Sequence, residues 1–420
     1  MSYIRILKEE DDSPARAVDI KHENRHKVLQ SFRFGRECTV ADVSLHTDIS
    51  KITVMRAIQF FCSRNILTSA GFGESSDVGG KKPECFVLED QKLILCIAMW
   101  PKAIQLSLFS LAGERLYQTR YSYDAKSDLD QTFTAIQKYS QKIFQNYNFS
   151  IDNLYAVVLS TSGTVDYATG YLHYSSNSPQ WGTNVDLSPR LRHIFGKNVA
   201  LLVENAGKAT GMSVLAKSSE LRNKSIVTLF TSWGISGCLI QDGEPLSGKD
   251  SLIGEIGHMT IERSDPEVCG CGKRGCLERL VSIDRMRKTI SEQPSPSASL
   301  LYKTPVQAIT FQDIFAACNH EDAYACELVK QLAQNFAVAL HNIALVYNPD
   351  HVVFQGDFGK APPYFDQCLK EFLREFKYYG IDGAFEIGYD DHDIYDLNAQ
   401  GSWYLMNESY FMTPTLYYDV

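Results

Sequence analysis

The chain has 420 residues, 44% hydrophobic and 22% charged, a composition ordinary for a soluble globular protein and long enough for two or three domains. No apolar run approaches the roughly 20 residues of a membrane helix, and the opening MSYIRILKEEDD has no apolar core like that of a signal peptide. Eleven cysteines without an export signal argue against a disulfide framework and for free thiols or metal ligands in a reducing cytoplasm.

Residues 1–15 read as a polar tail. The net charge of −9 averages over unlike segments: from Ser13 to Glu84 there are 11 Lys/Arg against 8 Asp/Glu, a local balance of +3 that permits contact with nucleic acid without requiring it. Residues 16–70 carry apolar side chains at helical spacing. Thr39-Val-Ala-Asp42 places a capping residue three positions before an acid and starts a short helix, VADVSLHT, that ends near Asp48. Ser50 then caps a second helix, KITVMRAIQFFCSRNIL, with Lys51, Thr53 and Arg56 at its exposed start and Ile58, Phe61 and Leu67 on apolar positions. Two helices joined by a tight turn fit a helix-turn-helix, whose second helix presents its N-terminal residues to base edges and phosphates. A plain helical bundle fits the helices equally well. The Gly-rich stretch Gly71 to Pro83 favours the first reading, because a hairpin carrying Lys81 and Lys82 would form a wing over the neighbouring DNA backbone.

From about Lys92 strands and helices mix: LILCIAMW, IQLSLFSLAGERLYQTRYSY, a helix over about Asp128 to Tyr147, then LYAVVLS. A second α/β run follows, with VALLVEN, SIVTLFTSWGISGCLIQDG, a long amphipathic helix near Ala323 to Tyr347, and HVVFQGDF. The stretch Ser291 to Pro305 reads as a surface loop. Between these elements, His258 is followed by Cys269-Gly-Cys271-Gly-Lys-Arg-Gly-Cys276. Three thiols within eight residues, separated by glycines, let the backbone fold around one tetrahedral ion. With His258 they form a closed four-ligand set suited to structural Zn2+, the fourth ligand being less secure than the three cysteines.

Gly254-Glu-Ile-Gly-His258 followed by CGCGKRGCLE resembles the signature of the ROK family (repressors, open reading frames and sugar kinases). ENRHKVLQSF through GGKKPECFVL is similar to the winged helix of its repressor branch, STSGTVDYATGYLHYS to a stretch after a central strand, and NPDHVVFQGDFG to a late strand. The resemblance implies an actin-like (ribonuclease-H-like), two-lobed α/β sugar-kinase fold behind an N-terminal winged helix-turn-helix. It implies a DNA-binding domain over 16–90, one lobe over 91–205 completed by 395–420, and a second lobe over 206–394 with the zinc site. It also implies a sugar site: Asn177 in Asn-Ser-Pro-Gln-Trp181, Asn205 after Glu204, Glu255 and His258 of GEIGH, and Glu278. Trp181 would cover an apolar sugar face or pack nearby, and His258 would bind sugar with one ring nitrogen and zinc with the other.

The resemblance does not extend to phosphoryl transfer. Where the family carries an Asp as general base, this chain has Ala206, and a methyl group accepts no proton. The first phosphate turn, normally Asp-x-Gly-Gly-Thr, falls in CIAMWPKAIQ without Asp or Gly. The second reads Ser232-Trp-Gly-Ile-Ser-Gly237, with Trp233 where backbone would approach a phosphate. The expectation is a non-enzymatic, sugar-responsive regulator, a repressor by the precedent of its branch. It would bind double-stranded operator DNA and a sugar effector as a homodimer or homotetramer in the cytoplasm, without a membrane. An active ATP-dependent sugar kinase with an appended DNA-binding domain is the alternative, and a phosphosugar or protein effector a third reading.

Overall fold

A computed structural model of the chain describes residues 20–73, 82–89, 92–124, 126–293, 299–375, 385–413 and 416–418. The polar tail, Lys81 and most of the Gly-rich turn lie outside these residues, as does the centre of the stretch read as a surface loop.

The N-terminal part builds three helices and a small sheet: α1 (Ile20–Gln30), β1 (Cys38–Thr39), α2 (Val40–Thr47), α3 (Lys51–Ser63), β2 (Leu67–Phe72) and β3 (Glu84–Leu88), with strand order β1-β3-β2. This is the element order of a winged helix. Thr39 and Asp42 form the expected reciprocal capping box, and Asp48 closes α2 in the left-handed conformation at φ 55°. Ser50 caps α3 through the Thr53 N–H. That helix stops at Ser63, four residues earlier than its apolar spacing suggests. Asn65 turns left-handed at φ 53°, and Leu67 is buried as the first residue of β2 rather than on the helix.

The next segment forms β4 (Leu93–Trp100), β5 (Ala103–Ser110), β6 (Arg115–Ser122), α4 (Leu129–Tyr147), β7 (Leu154–Thr161), β8 (Thr164–Asp166), β9 (Tyr171–Tyr174), β10 (Val185–Asp186), α5 (Ser188–Phe195) and β11 (Ala200–Asn205). The main sheet runs β11-β7-β4-β5-β6, parallel across β11, β7 and β4 and antiparallel beyond. β4 and β5 are buried along their whole length because both faces are covered, which explains their continuous apolar runs. α4 turns Phe133, Ile136 and Ile143 onto one face.

The remaining elements are α6 (Ala206–Gly211), α7 (Ser213–Lys217), β12 (Ile226–Thr231), β13 (Ile235–Gln241), β14 (Glu244–Pro245), α8 (Leu277–Leu280), α9 (Ile283–Glu292), α10 (Phe311–Asn319), α11 (Ala323–Tyr347), β15 (His351–Gly356), α12 (Pro363–Glu375), β16 (Glu386–Asp390) and α13 (Ile394–Phe411). Their sheet has the order β14-β13-β12-β15-β16, and α11 packs its buried Leu328, Leu332, Phe336 and Leu340 under it. The stretch read as a loop is more ordered at its flanks: Ser291 and Glu292 finish α9, and Leu301 is buried in a 3-10 turn.

α13 lies between these units. It packs on β4, β5 and β7 on one side and on α6 and α7 on the other. Gly401 permits the crossing with α6, since a Cβ there would stand 1.8 Å from the Ala209 carbonyl oxygen. Trp403, Tyr404, Tyr410 and Phe411 share one continuous core with Val28, Leu29, Phe32 and Phe61 of the N-terminal domain.

Candidate functional site

A cleft of about 190 Å³ opens where the C-terminal ends of β7 and β11 face the β12–β13 turn, the 3-10 turn Ile256–His258 and α8. Asn177, Asn205, Glu255, His258 and Glu278 all line it, although they come from four separate segments. Most are held by the protein itself. Glu278 Oε2 accepts the Ile235 N–H at 2.8 Å, and Glu255 Oε1 accepts the Thr164 hydroxyl at 3.1 Å. Asn205 caps α6 by accepting the N–H groups of Gly207 (2.9 Å) and Lys208 (3.1 Å), and its amide donates to the Gly163 carbonyl at 2.7 Å. It thus combines a capping role with its place on the cleft wall. Trp181 is 3% exposed in the core of the first sheet and lies off the cleft. Ala206 lines the cleft at the first position of α6 and brings no acceptor.

His258 borders the cleft and faces a second cluster. Its Nε2 lies 3.9 Å from Glu255 Oε2, while its Nδ1 lies 3.6 Å from Cys269 Sγ. Cys271 and Cys276 bring their sulfurs within 3.6 Å of each other, and all four donor atoms lie within 4.8 Å of one another. Four ligands around one ion at thiolate bond lengths of about 2.3 Å would sit about 3.8 Å apart, so the residues present fit one tetrahedral metal ion. The burial of Cys269 and Cys276 raises their thiols above the ordinary range, to about 12 for Cys276. The backbone hydrogen bond from Lys273 and the neighbouring thiols outweigh burial at Cys271 and hold it lower.

On the cleft wall, the two turns that correspond to the family's phosphate turns carry aromatic rings. Trp100 ends β4 and Trp233 sits in the β12–β13 turn, with ring centres 5.0 Å apart. Phe230 stacks on Trp100 at 5.7 Å, and Tyr395 of α13 meets Trp100 edge-on at 5.8 Å and Trp233 at 6.3 Å. The Arg120 guanidinium covers Tyr395 at 3.3 Å from the ring centre. Sequence reading treated Trp233 only as an obstacle. Its contact with Trp100 was invisible because the two residues lie far apart in the chain.

On the winged helix, Lys51, Arg56 and Lys82 are exposed. Thr53 is half-buried and its hydroxyl lies 2.9 Å from that of Ser50, so it belongs to the cap as well as to the helix start. Ile52 (69% exposed), Met55 and Gln59 share the open face of α3, and sequence reading did not select them. Apolar residues left bare on such a helix suit thymine methyl groups, and a glutamine suits adenine.

An N-terminal domain with the element order of a winged helix, before two α/β units with a cleft between them, defines a protein with a sugar-kinase-type body. Residues 94–381 match the model of the ROK family, well over half of the chain, and the chain belongs to that family. A glucokinase of Halalkalibacterium halodurans is 24% identical over 67% of this chain and 85% of its own length. A xylose repressor of Caldicellulosiruptor bescii is 21% identical over 85% of this chain and 87% of its own. The crystal structure of a ROK family transcriptional regulator, a homologue of the E. coli MLC protein, superimposes with a TM-score of 0.74 at 18% identity. It covers 94% of this chain and 99% of its own, a span that has to include the N-terminal domain. These longer matches support the repressor branch, while both repressors and kinases stand among the relatives. Among the described residues no helix is long and apolar enough to cross a membrane.

Proposed function

We propose that the protein is a sugar-responsive, DNA-binding transcriptional repressor whose kinase-like body recognises a sugar without phosphorylating it. The observation that carries this reading is the Trp100–Trp233 contact in the cleft wall, where a kinase needs open turns around phosphates. Ala206 argues in the same direction against the kinase alternative.

Sugar hydroxyls would bond to Asn177, Asn205, Glu255, His258 and Glu278. Structural Zn2+ would be held by His258, Cys269, Cys271 and Cys276, and when bound it supplies a fixed tether for the His258 ring. Lys51, Thr53, Arg56, Lys81 and Lys82 would meet operator DNA, the cations chiefly at phosphates. A homodimer or homotetramer in the cytoplasm would place two winged helices on a pseudo-palindromic site. Sugar changes DNA affinity only if the two states bind it unequally.

The test uses the full-length protein to select fragments from sheared genomic DNA, then measures fragment binding by anisotropy across a panel of monosaccharides. One sugar should change the affinity by about 5- to 150-fold. Arg56→Ala should weaken binding and lower the salt dependence by about one unit of slope. DNA binding indifferent to every sugar, or ADP formed from ATP-Mg in a sugar-dependent way, would sink the proposal.

A further inference from the structure

We infer that Trp233 is the surface on which the effector stacks, and that the effector is an unphosphorylated sugar with an apolar C–H face. This rests on the sugar-sensing reading above and names the ligand class of the same cleft.

The chain has four tryptophans, of which Trp100, Trp181 and Trp403 are 1%, 3% and 5% exposed. Trp233 is 40% exposed and forms part of the cleft wall. An indole held open to solvent beside fixed polar groups is the pairing a pyranose or furanose ring requires: a flat apolar face and a polar rim. The ring is already held in place. Trp100 stands behind it and Tyr395 flanks it edge-on, so little freedom remains to be lost on binding. The next residue, Gly234, brings the polar edge close, since a Cβ there would meet Glu278 Oε2 at 2.7 Å. Indole and carboxylate are therefore neighbours on one wall.

The charges around the cleft decide between a neutral sugar and a phosphosugar. Among the described residues that line it, the acids are Glu255 and Glu278, and there is no Lys or Arg. A phosphate would meet two carboxylates with no Lys or Arg side chain to offset them. Lys208 is nearby in the chain but does not line the cleft; it is 4% exposed and donates to the Ser251 carbonyl at 3.2 Å.

The exposure of Trp233 makes the test direct, because acrylamide quenching of the folded protein reads this one indole above the three buried ones. The full-length protein would be titrated with D-glucose, D-xylose, D-mannose, N-acetyl-D-glucosamine and glucose 6-phosphate, by quenching and by calorimetry. At least one neutral sugar should bind and shield Trp233. Trp233→Ala should weaken it by about tenfold. Trp233→Leu, which keeps apolar bulk against Trp100 but lacks a π face, should also lose affinity while retaining the melting temperature. A neutral sugar that binds wild type and both variants alike, with no shielding, overturns the stacking role and leaves sugar sensing intact. Glucose 6-phosphate binding more tightly than glucose overturns the neutral class. No binding by any saccharide at millimolar concentration removes the sugar-sensing reading and this inference with it.

Discussion

Cys271 is exposed while Cys269 and Cys276 are buried, yet their sulfurs converge with His258 Nδ1 on one point. The cluster was legible in sequence because its three thiols are nearly contiguous and separated by glycines. The geometry adds the direction of the histidine, one nitrogen toward the thiols and the other toward Glu255. Cluster and cleft are therefore joined through one ring, and loss of a metal held by the cluster should be felt by a sugar held in the cleft. Elemental analysis is expected to find one equivalent of zinc in the wild type and none in Cys276→Ser. The substitution should also weaken sugar binding on the order of tenfold, by releasing the His258 ring. Zinc-free variant protein with wild-type sugar affinity would show that the two sites are independent. Ala206 poses the reverse question. Ala206→Asp restores a carboxylate, but Trp100 and Trp233 still occupy the phosphate turns. A coupled assay for ADP should detect no activity in the wild type or the variant. The variant should melt lower, since the carboxylate would enter a site now 3% exposed. ADP release by Ala206→Asp would mean that a nucleotide binds in spite of the aromatic pair.

α13 was the element least legible in sequence. Its apolar residues are mixed with buried Asn398, Ser402, Asn407 and Glu408, because it is enclosed on nearly every side and needs no single apolar stripe. The strands and α4 were legible for the opposite reason, their periodicity following from one or two plainly buried faces. The polar residues of α13 carry the links between units. Asn398 accepts the Ser160 hydroxyl at 2.7 Å and donates to the Ala206 carbonyl at 3.1 Å. Glu408 accepts both Arg222, at 2.9 and 2.8 Å, and Arg33 of the N-terminal domain. Burial would raise the Glu408 carboxyl, but the two guanidinium groups outweigh it and hold it below its ordinary value. Its folded pKa being depressed, its stabilisation is complete above the unfolded value of about 4.3 and is lost as pH falls through the lower folded value. Glu408→Gln leaves two guanidinium groups without their carboxylate and should cost about 3 kcal/mol in urea unfolding at pH 7. The difference from wild type should shrink as the pH is lowered below about 4. A variant as stable as wild type at pH 7 would show that the ion pairs contribute nothing net.

Across the whole molecule, the same helix that meets the aromatic pair at Tyr395 reaches the winged helix at Glu408 and shares its core. The tail beyond it is held as well: Arg25 donates to the Tyr417 carbonyl at 2.7 Å, and Arg64 to that of Tyr418 at 2.9 Å. The N-terminal domain is thus fastened to the body by packing, hydrogen bonds and the Arg33–Glu408 ion pair, an arrangement that suits transmission of a shift at the cleft. Transmission of this kind is a coupling free energy, and it has to be reciprocal. If the sugar that shields Trp233 lowers operator affinity by some factor, saturating operator must lower sugar affinity by the same factor. Calorimetric titration of sugar into free protein and into the protein–operator complex measures one side, and anisotropy with and without sugar measures the other. The two factors should agree within error, and both should collapse toward one in Glu408→Gln if the Arg33–Glu408–Arg222 junction carries the coupling. Equal factors that persist unchanged in that variant would leave the coupling real but route it through the apolar core around Trp403 and Tyr404 instead.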